Sequence, residues 1–160
     1  MSKAFTREPD ESGGDEIPSV RPPLPAGTTN YITREGAERL QQRLDNLLEK
    51  KRQSSNAPES DLRKLDAQIR TLQQTLSSVV VSQPASNPGK VVFGTTVKIR
   101  GQNGEEEIYR IVGVEEAEPE NGSISWLSPL ARALLSREIG DKVRFRTPAG
   151  AKELTVLSIE

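Results

Sequence analysis

Cysteine and histidine are both missing from this chain of 160 residues. Without thiols or imidazoles, a protein cannot form disulfide bonds, build a Cys/His zinc site, or use a cysteine nucleophile or a histidine general base. These classes of catalytic site are therefore excluded. Any hydrolytic chemistry would depend on carboxylates and on a metal ion supplied by another molecule.

Aromatic residues and long apolar segments are also scarce. The chain has one tryptophan, two tyrosines and three phenylalanines, and its hydrophobic content is 33%. Such a composition disfavours a single large core and favours an elongated or two-part shape. No apolar run approaches the ~18 residues of a membrane span, and the N-terminus lacks the apolar segment of a secretory signal. We therefore expect a cytoplasmic protein without a membrane partner.

Charge is balanced overall but unevenly distributed. The formal net charge is −1, so the chain has no general basic field of the kind that binds nucleic acid by counterion release. Residues 1–30 are rich in acidic residues and proline and poor in apolar side chains, which predicts a disordered tail. We interpret this tail as a solubilising arm, with a docking peptide as the alternative. Its acidic residues are Glu8, Asp10, Glu11, Asp15 and Glu16.

Residues 31–82 carry two apolar stripes with alternating spacings of three and four. This periodicity is typical of two helices that pack along one seam as a coiled coil. The polar segment 53–60 between them is short, so the helices must run antiparallel. Asn56 or Ser55 is the predicted N-cap of the second helix, with Pro58 in its first turn. The stripe residues are Ala37, Leu40, Leu44, Leu47, Leu62, Leu65, Ile69, Leu72, Leu76 and Val79.

Residues 83–90 form a linker by composition, and residues 91–160 follow a different pattern. Alternating segments predict a strand at 91–100 that is broken at Gly94, and further strands at 107–112, 123–127, 142–146 and 153–159. Asn103-Gly104 predicts a tight hairpin turn. A helix is predicted at 130–137, with Gly140 as its stop signal. The chain is thus predicted to be α+β: a helical hairpin followed by a small antiparallel sheet with one helix.

Several segments, in order, resemble the GreA/GreB family of transcript-cleavage factors. They are Tyr31-Ile32-Thr33-Arg34-Glu35-Gly36, Lys90-Val91-Val92-Phe93-Gly94, Tyr109-Arg110-Ile111-Val112-Gly113, the run from Ser128 to Leu135, Glu138-Ile139-Gly140-Asp141 and Thr147-Pro148-Ala149-Gly150. The resemblance implies an FKBP-like C-terminal domain over 91–160 that grips the rim of the secondary channel of RNA polymerase. It also implies that the coiled coil enters this channel.

The same resemblance places the polymerase contact at the start of the short helix. Exposed Pro129 and Leu130 would form the centre of the contact. Ser128 is expected to cap the helix whether or not it also binds a partner. The full set of predicted polymerase-binding residues is Ser128, Pro129, Leu130, Ala131, Arg132 and Leu134. Further basic residues in this domain (Lys142, Arg137, Arg144 and Arg146) would extend the contact or simply be solvated.

One departure from the family concerns the tip of the hairpin. Cleavage factors have a much longer coiled coil with an acidic pair at its tip, which holds a magnesium ion at the polymerase active centre. Here both helices lack several turns, and each missing turn removes about 5.4 Å of reach. Glu59 and Asp61 are the only candidates for such a pair. The alternative is that they complement the helix dipole in its first turn.

The sequence therefore predicts a monomeric, non-enzymatic regulator of transcription elongation. It would bind RNA polymerase at the secondary channel, contact nucleic acid only indirectly, and have little transcript-cleavage activity. Cleavage stimulation through Glu59 or Asp61 is the alternative. Prolyl isomerase activity is a third hypothesis, although the pocket of such an enzyme would need more aromatic side chains than this domain can supply. No cofactor or metal site of its own is expected, and the only metal involved would be the magnesium of the polymerase.

Overall fold

The computed structural model describes residues 24–86 and 88–160. Most of the predicted acidic tail lies outside these residues. The described part begins with a short strand, passes through two long helices, and ends in a five-stranded sheet with one short helix. The predicted α+β class is confirmed. Within these two ranges, no helix is long and apolar enough to cross a membrane.

The two long helices form the predicted hairpin, which we call the arm. Helix α1 spans Arg34–Gln53 and helix α2 spans Glu59–Ser78. Each has 20 residues, which corresponds to a length of ~30 Å. One stripe of each helix faces the other, so the predicted seam is confirmed. Its buried members are Leu44, Leu65, Ile69 and Leu72, with Leu40, Leu47 and Leu76 packed beside them.

The two helices begin in different ways. Thr33 caps α1, because its hydroxyl oxygen accepts a hydrogen bond from the backbone N–H of Gly36 at 3.0 Å. Pro58 is the N-cap of α2 and makes no side-chain capping bond. The prediction that Asn56 or Ser55 caps α2 is therefore wrong. These residues lie in a tight turn that directly follows α1. The turn is closed by a hydrogen bond from the Ala57 N–H to the Ser54 carbonyl at 2.9 Å.

Two short strands join both ends of the arm at its base. Strand β1 spans Asn30–Ile32, strand β2 spans Val79–Val81, and they pair in parallel. The Ser82 N–H continues the pairing by donating to the Ile32 carbonyl at 2.9 Å. The helical periodicity did not predict these strands, and it assigned Val79 to the seam. The pairing ties the chain before α1 to the chain after α2.

The C-terminal residues form a sheet with strand order β5-β4-β3-β7-β6. The strands are β3 (Thr96–Gly101), β4 (Glu106–Val112), β5 (Ser123–Ser125), β6 (Lys142–Thr147) and β7 (Gly150–Ile159). All neighbours are antiparallel except β5, which runs parallel to β4. The sheet is therefore mixed rather than wholly antiparallel as predicted, because two 3₁₀ turns carry the chain from the end of β4 back to Arg110, so that β5 runs parallel to the last three residues of β4. These turns are Val114–Glu116 and Pro119–Asn121.

The first predicted strand of the sheet is shorter than expected. Strand β3 begins at Thr96, and Val91 instead exchanges hydrogen bonds with the loop after the short helix. Its N–H donates to the Arg137 carbonyl at 2.8 Å, and its carbonyl accepts from the Ser136 N–H at 2.8 Å. Gly94 has a φ of +87°, a conformation that interrupts a strand and favours glycine. The prediction of strand at 91–93 is therefore wrong.

Helix α3 spans Pro129–Leu134 and packs its inner face against the sheet. It ends three residues before the predicted 137, because Leu135 has a non-helical backbone and Ser136 adopts a left-handed one with a φ of +68°. Gly140 lies beyond the helix and is not its stop signal. Alternate residues of β3, β6 and β7 complete the core under α3, including Val97, Val143 and Val156.

We predict that Leu65→Ala lowers the free energy of unfolding of the arm by about 2–3 kcal/mol, because it opens a cavity in a core only one stripe wide. Leu65 is 7% exposed, whereas Leu48 on the same pair of helices is 42% exposed. The matched control Leu48→Ala should change it by less than about 0.5 kcal/mol. Urea unfolding followed by far-UV circular dichroism measures both, and equal effects would contradict the seam.

We predict that Ser136→Gly stabilises the C-terminal domain by about 0.5–1 kcal/mol, because glycine adopts a positive φ without the steric cost that serine has there. The residue is exposed, so the substitution removes little packing. Thermal unfolding of the full chain gives the comparison. Ser136→Ala is the control, since alanine keeps the Cβ and should give no stabilisation.

Candidate functional site

The candidate binding site starts where β5 leads into α3. The Ser128 side-chain oxygen accepts a hydrogen bond from the Ala131 N–H at 3.2 Å, so the predicted N-cap is confirmed. Pro129 occupies the first helical position, where the missing N–H has no consequence and the fixed φ suits the helix. Together they place an exposed proline at a rigid corner of the domain.

Only part of the predicted contact set reaches solvent. Ala131 and Leu134 are 0% exposed and lie in the domain core, so they cannot touch a partner and support the helix from within. The prediction that these two residues belong to the contact surface is therefore wrong. Pro129 and Arg132 are exposed, and Leu130 is half-buried against the core. A surface for docking at α3 therefore consists of Pro129, Leu130 and Arg132.

A groove lies beside Leu130 on the same face of the sheet. It has a volume of about 320 Å³, with Tyr109, Phe145 and Leu130 among its apolar lining and Glu105 and Glu107 among its acidic lining. Burial, followed by the nearby Glu107 carboxylate, raises the pKa of the Tyr109 phenol. The tyrosine is therefore neutral at physiological pH and presents a hydrogen-bonding group at the groove wall.

The basic residues of the domain do not form one patch. Side chains alternate along a strand, and on β6 the core side is taken by Val143 and Phe145, which pack with α3. Lys142, Arg144 and Arg146 therefore face away from α3, and Arg144 is paired with Glu153 at 3.3 Å. The basic residues are therefore divided by the sheet. Arg132 lies on α3 with Pro129 and Leu130, and Arg137 follows α3 and donates to the Ala133 carbonyl at 3.2 Å.

The tip of the arm consists of the turn at 54–58 and the first turn of α2. Glu59 is the first residue of α2 and pairs with Arg63 at 2.6 Å, both side chains being more than three-quarters exposed. Asp61 is exposed in the same turn. Across residues 24–86 and 88–160, no group of three or more Asp or Glu side chains is arranged to hold a metal ion. Nothing in the geometry of the tip distinguishes Glu59 and Asp61 from dipole complements of the helix.

The two helices are also held near the tip by charge. Lys51 of α1 pairs with Asp66 of α2 at 2.6 Å, both about half exposed. The ion pair continues the contact between the two helices beyond the apolar seam. Exposed pairs of this kind contribute little stability. Here the pairing helps to hold the register of the two helix ends.

The strongest polar contact lies at the opposite end of the arm and was missed by the sequence analysis. Glu116, in the first 3₁₀ turn after β4, is only 7% exposed. One carboxylate oxygen accepts from the Thr33 N–H at 2.9 Å and from the Gly113 N–H at 3.0 Å. The other accepts from the Thr33 hydroxyl and lies 3.6 Å from the Arg39 guanidinium. A residue of the C-terminal domain thereby completes the cap of α1.

Two glycines allow this carboxylate to approach so closely. A Cβ at Gly36 would lie 2.0 Å from the nearer Glu116 oxygen, and a Cβ at Gly113 would lie 2.1 Å from the Tyr31 carbonyl oxygen. Neither distance is compatible with a side chain. The Gly36 that ends the Tyr31-Ile32-Thr33 segment is thus required by a contact distant in sequence, and we call Glu116, Thr33, Gly36, Gly113 and Tyr31 the junction.

Aromatic and ionic contacts surround the junction. The Tyr31 ring lies 5.5 Å from that of Trp126, edge to face, and 5.8 Å from that of Phe93. Arg110 of β4 pairs with Glu35 of α1 at 3.1 Å. A hydrogen bond from its own backbone N–H lowers the pKa of Glu35, and Arg110 adds to this effect. These contacts join the base of the arm to the sheet domain.

Comparison with known proteins identifies the family. A family model described as "Transcription elongation factor, GreA/GreB, C-term" matches residues 85–160. The chain is 38% identical to transcription elongation factor GreB of Pseudomonas aeruginosa, with 88% of this chain and 95% of the relative covered. It is 34% identical to GreB of Neisseria meningitidis serogroup B, covering 83% and 94%. With GreA of Jannaschia sp. it shares 42% identity over 59% of this chain and 62% of the relative.

Solved structures with similarity include "Structure of the transcription factor Gfh1", at 26% identity and a TM-score of 0.43, covering 83% of this chain and 98% of that one. Another is a prokaryotic transcription elongation factor GreA/GreB from Nitrosomonas europaea, at 27% identity and a TM-score of 0.41, covering 81% and 97%. The alignments with the two GreB proteins cover 88% and 83% of this chain and so extend beyond the C-terminal domain. This chain belongs to the GreA/GreB family of transcription elongation factors and is a regulator of transcription elongation.

Proposed function

We propose that this protein binds RNA polymerase through its C-terminal domain, places the arm in the secondary channel, and modulates elongation without strong transcript cleavage. The observation that carries the proposal is the combination of a rigid docking corner at Ser128-Pro129-Leu130 with an arm of two 20-residue helices and no acidic cluster at its tip. The binding part is complete, whereas the part that would perform cleavage chemistry is reduced.

Alignment length supports a reduced arm. The alignment with the Pseudomonas aeruginosa protein runs over 160 positions but uses only 88% of this chain's 160 residues. The relative therefore contains residues that have no counterpart here. We assign these residues to a longer coiled coil in the relative, which would make the ~30 Å arm of this chain the shorter of the two. A carboxylate must come within about 2.1 Å of magnesium to bind it, and a stiff hairpin cannot stretch to make up the difference.

The chemistry of the tip supports the same conclusion. Glu59 is already compensated by Arg63, and the flanking residues Lys50, Lys51 and Arg52 make the end of α1 basic. Lys51 and Arg52 are in turn paired with Asp66 and Glu49, so the end of the arm carries no surplus of negative charge that would attract a divalent cation. Occupying the channel without donating metal ligands would make this protein a competitor of longer cleavage factors.

Cleavage stimulation remains a second candidate because one observation favours it. Asp61 is exposed at the tip and forms no ion pair with another residue of the described ranges. It could therefore turn toward a metal ion held by the polymerase. In that case the protein would still not be an enzyme itself, since the catalytic site belongs to the polymerase.

An isomerase function has less support. Of the aromatic residues in the C-terminal domain, Phe93 and Trp126 pack on Tyr31 at the base of the arm. Only Tyr109 and Phe145 line the groove beside α3. This leaves too few aromatic side chains to enclose a proline ring.

We predict that the protein displaces a fluorescently labelled, full-length Gre cleavage factor from purified polymerase. The double variant Pro129→Glu/Arg132→Glu should compete at least tenfold more weakly, a change of about 1.4 kcal/mol. Lys142→Glu is the matched control, because this cation lies on the opposite face of the sheet, and it should compete like wild type. Failure of the wild-type protein to displace the cleavage factor at saturating concentration would overturn the proposal.

We predict that backtracked elongation complexes mixed with this protein release short RNAs no faster than polymerase alone. Gel analysis of 3′-labelled transcripts measures the rate. If release is instead accelerated, and the acceleration is lost in Glu59→Ala/Asp61→Ala but kept in the tip control Glu49→Ala, the second candidate function replaces the first.

A further inference from the structure

The direction of the arm relative to the sheet domain depends on contacts at one end of α1. The arm is ~30 Å long, so a rotation of only ~10° at its base displaces the tip by ~5 Å. Small changes at the junction are therefore amplified at the tip. A protein that must place its tip inside a narrow channel needs this angle to be held by directional contacts.

We propose that Glu116 is a positioning residue whose buried carboxylate fixes the direction in which the arm leaves the C-terminal domain. Its consequence for the polymerase rests on the proposed function: with the domain docked on polymerase, Glu116 determines where the tip lies. The direction itself is a property of the isolated protein.

The contacts of Glu116 are suited to this role because they join both parts of the molecule. Its oxygens accept two hydrogen bonds from Thr33, at the start of the arm, and one from Gly113, in the sheet domain. Charge-assisted bonds to a buried carboxylate are strong and directional. The cap of α1 and the turn after β4 therefore share one rigid acceptor.

The other contacts between arm and domain are less able to define an angle. The Arg110–Glu35 pair is exposed, with 37% and 61% of the two side chains accessible, and exposed ion pairs are weak. The ring contacts of Tyr31 with Phe93 and Trp126 bury apolar surface, which tolerates sliding better than a hydrogen bond does. This leaves the carboxylate as the directional element.

The proposal is tested by the distance between two spin labels, measured by pulsed electron paramagnetic resonance on the full chain alone. Because the chain has no cysteine, labels can be attached at Ser55→Cys on the tip and Ala149→Cys in the β6–β7 turn, both exposed positions. The doubly labelled protein should give one narrow distance distribution. Adding Glu116→Gln should broaden it or shift its centre by several ångströms, since an amide cannot accept at both of its positions.

Two control variants separate positioning from general loss of charge. Glu35→Gln removes the exposed ion pair to Arg110, and Glu120→Gln removes an exposed carboxylate from the neighbouring 3₁₀ turn. Both should keep the narrow distribution. A Glu116→Gln protein that is folded by circular dichroism and shows the unchanged narrow distribution would overturn the proposal.

A second pair of variants decides the matter if Glu116→Gln does not fold. Thr33→Ser keeps the hydroxyl that donates to Glu116, whereas Thr33→Val removes it at nearly constant volume. The valine variant should broaden the distribution and the serine variant should not, and equal distributions would count against the proposal. Gly36→Ala, which drives a Cβ into the carboxylate, should act like Glu116→Gln, and combining the two should add little further effect.

These measurements do not involve polymerase, so their outcome is independent of the competition assay. An unchanged label distance with normal displacement of a cleavage factor rejects the positioning role alone. A broadened distance in a protein whose wild type shows no displacement rejects the proposed function alone.

Discussion

The buried carboxylate of Glu116 is the contact on which the arrangement of the two parts depends. It lies 83 residues from Thr33, yet it accepts both the backbone N–H and the hydroxyl at the start of α1. Removing a charge of this kind from water is costly unless every oxygen is hydrogen-bonded. The donors of Thr33 and Gly113 meet that requirement, and Gly36 and Gly113 leave the space for it. Burial of this carboxylate is therefore tolerated only when the arm and the domain are placed so that the donors of Thr33 and Gly113 both reach it.

The two parts differ in how well they are packed. The sheet domain has a core whose central members, such as Val97, Ile111 and Leu134, are 0% exposed. The arm has a single stripe whose best-buried members retain 7–9% exposure. A helical hairpin with one stripe buries too little apolar surface to be stable by itself. The β1–β2 pairing and the junction therefore anchor the arm at its base, and the Lys51–Asp66 pair holds it near its tip.

The proposed function depends on which groups the arm and the sheet domain can each present to a partner. Without histidine or cysteine, the chain has no imidazole general base or thiolate of its own. At the tip, the Glu59 carboxylate is paired with Arg63. The surface of α3, by contrast, combines an exposed proline, a half-buried leucine and an arginine on a firmly packed support. Such a distribution supports the proposed role, in which the protein acts by binding and by occupying space.

Local patterns were enough to predict the helical hairpin, its seam and the Ser128 cap, because each depends on neighbours within one or two turns of chain. They also predicted the turn at Asn103-Gly104, which joins the antiparallel strands β3 and β4 and has Gly104 at a φ of +83°. The resemblance in sequence likewise identified the family. Contacts between distant segments were not predictable. The sequence analysis gave Glu116 no role, placed Ala131 and Leu134 in the contact surface, and did not separate the basic residues by the face of the sheet on which they lie. Only the tertiary structure decided these, because burial and the facing of side chains depend on which strands become neighbours.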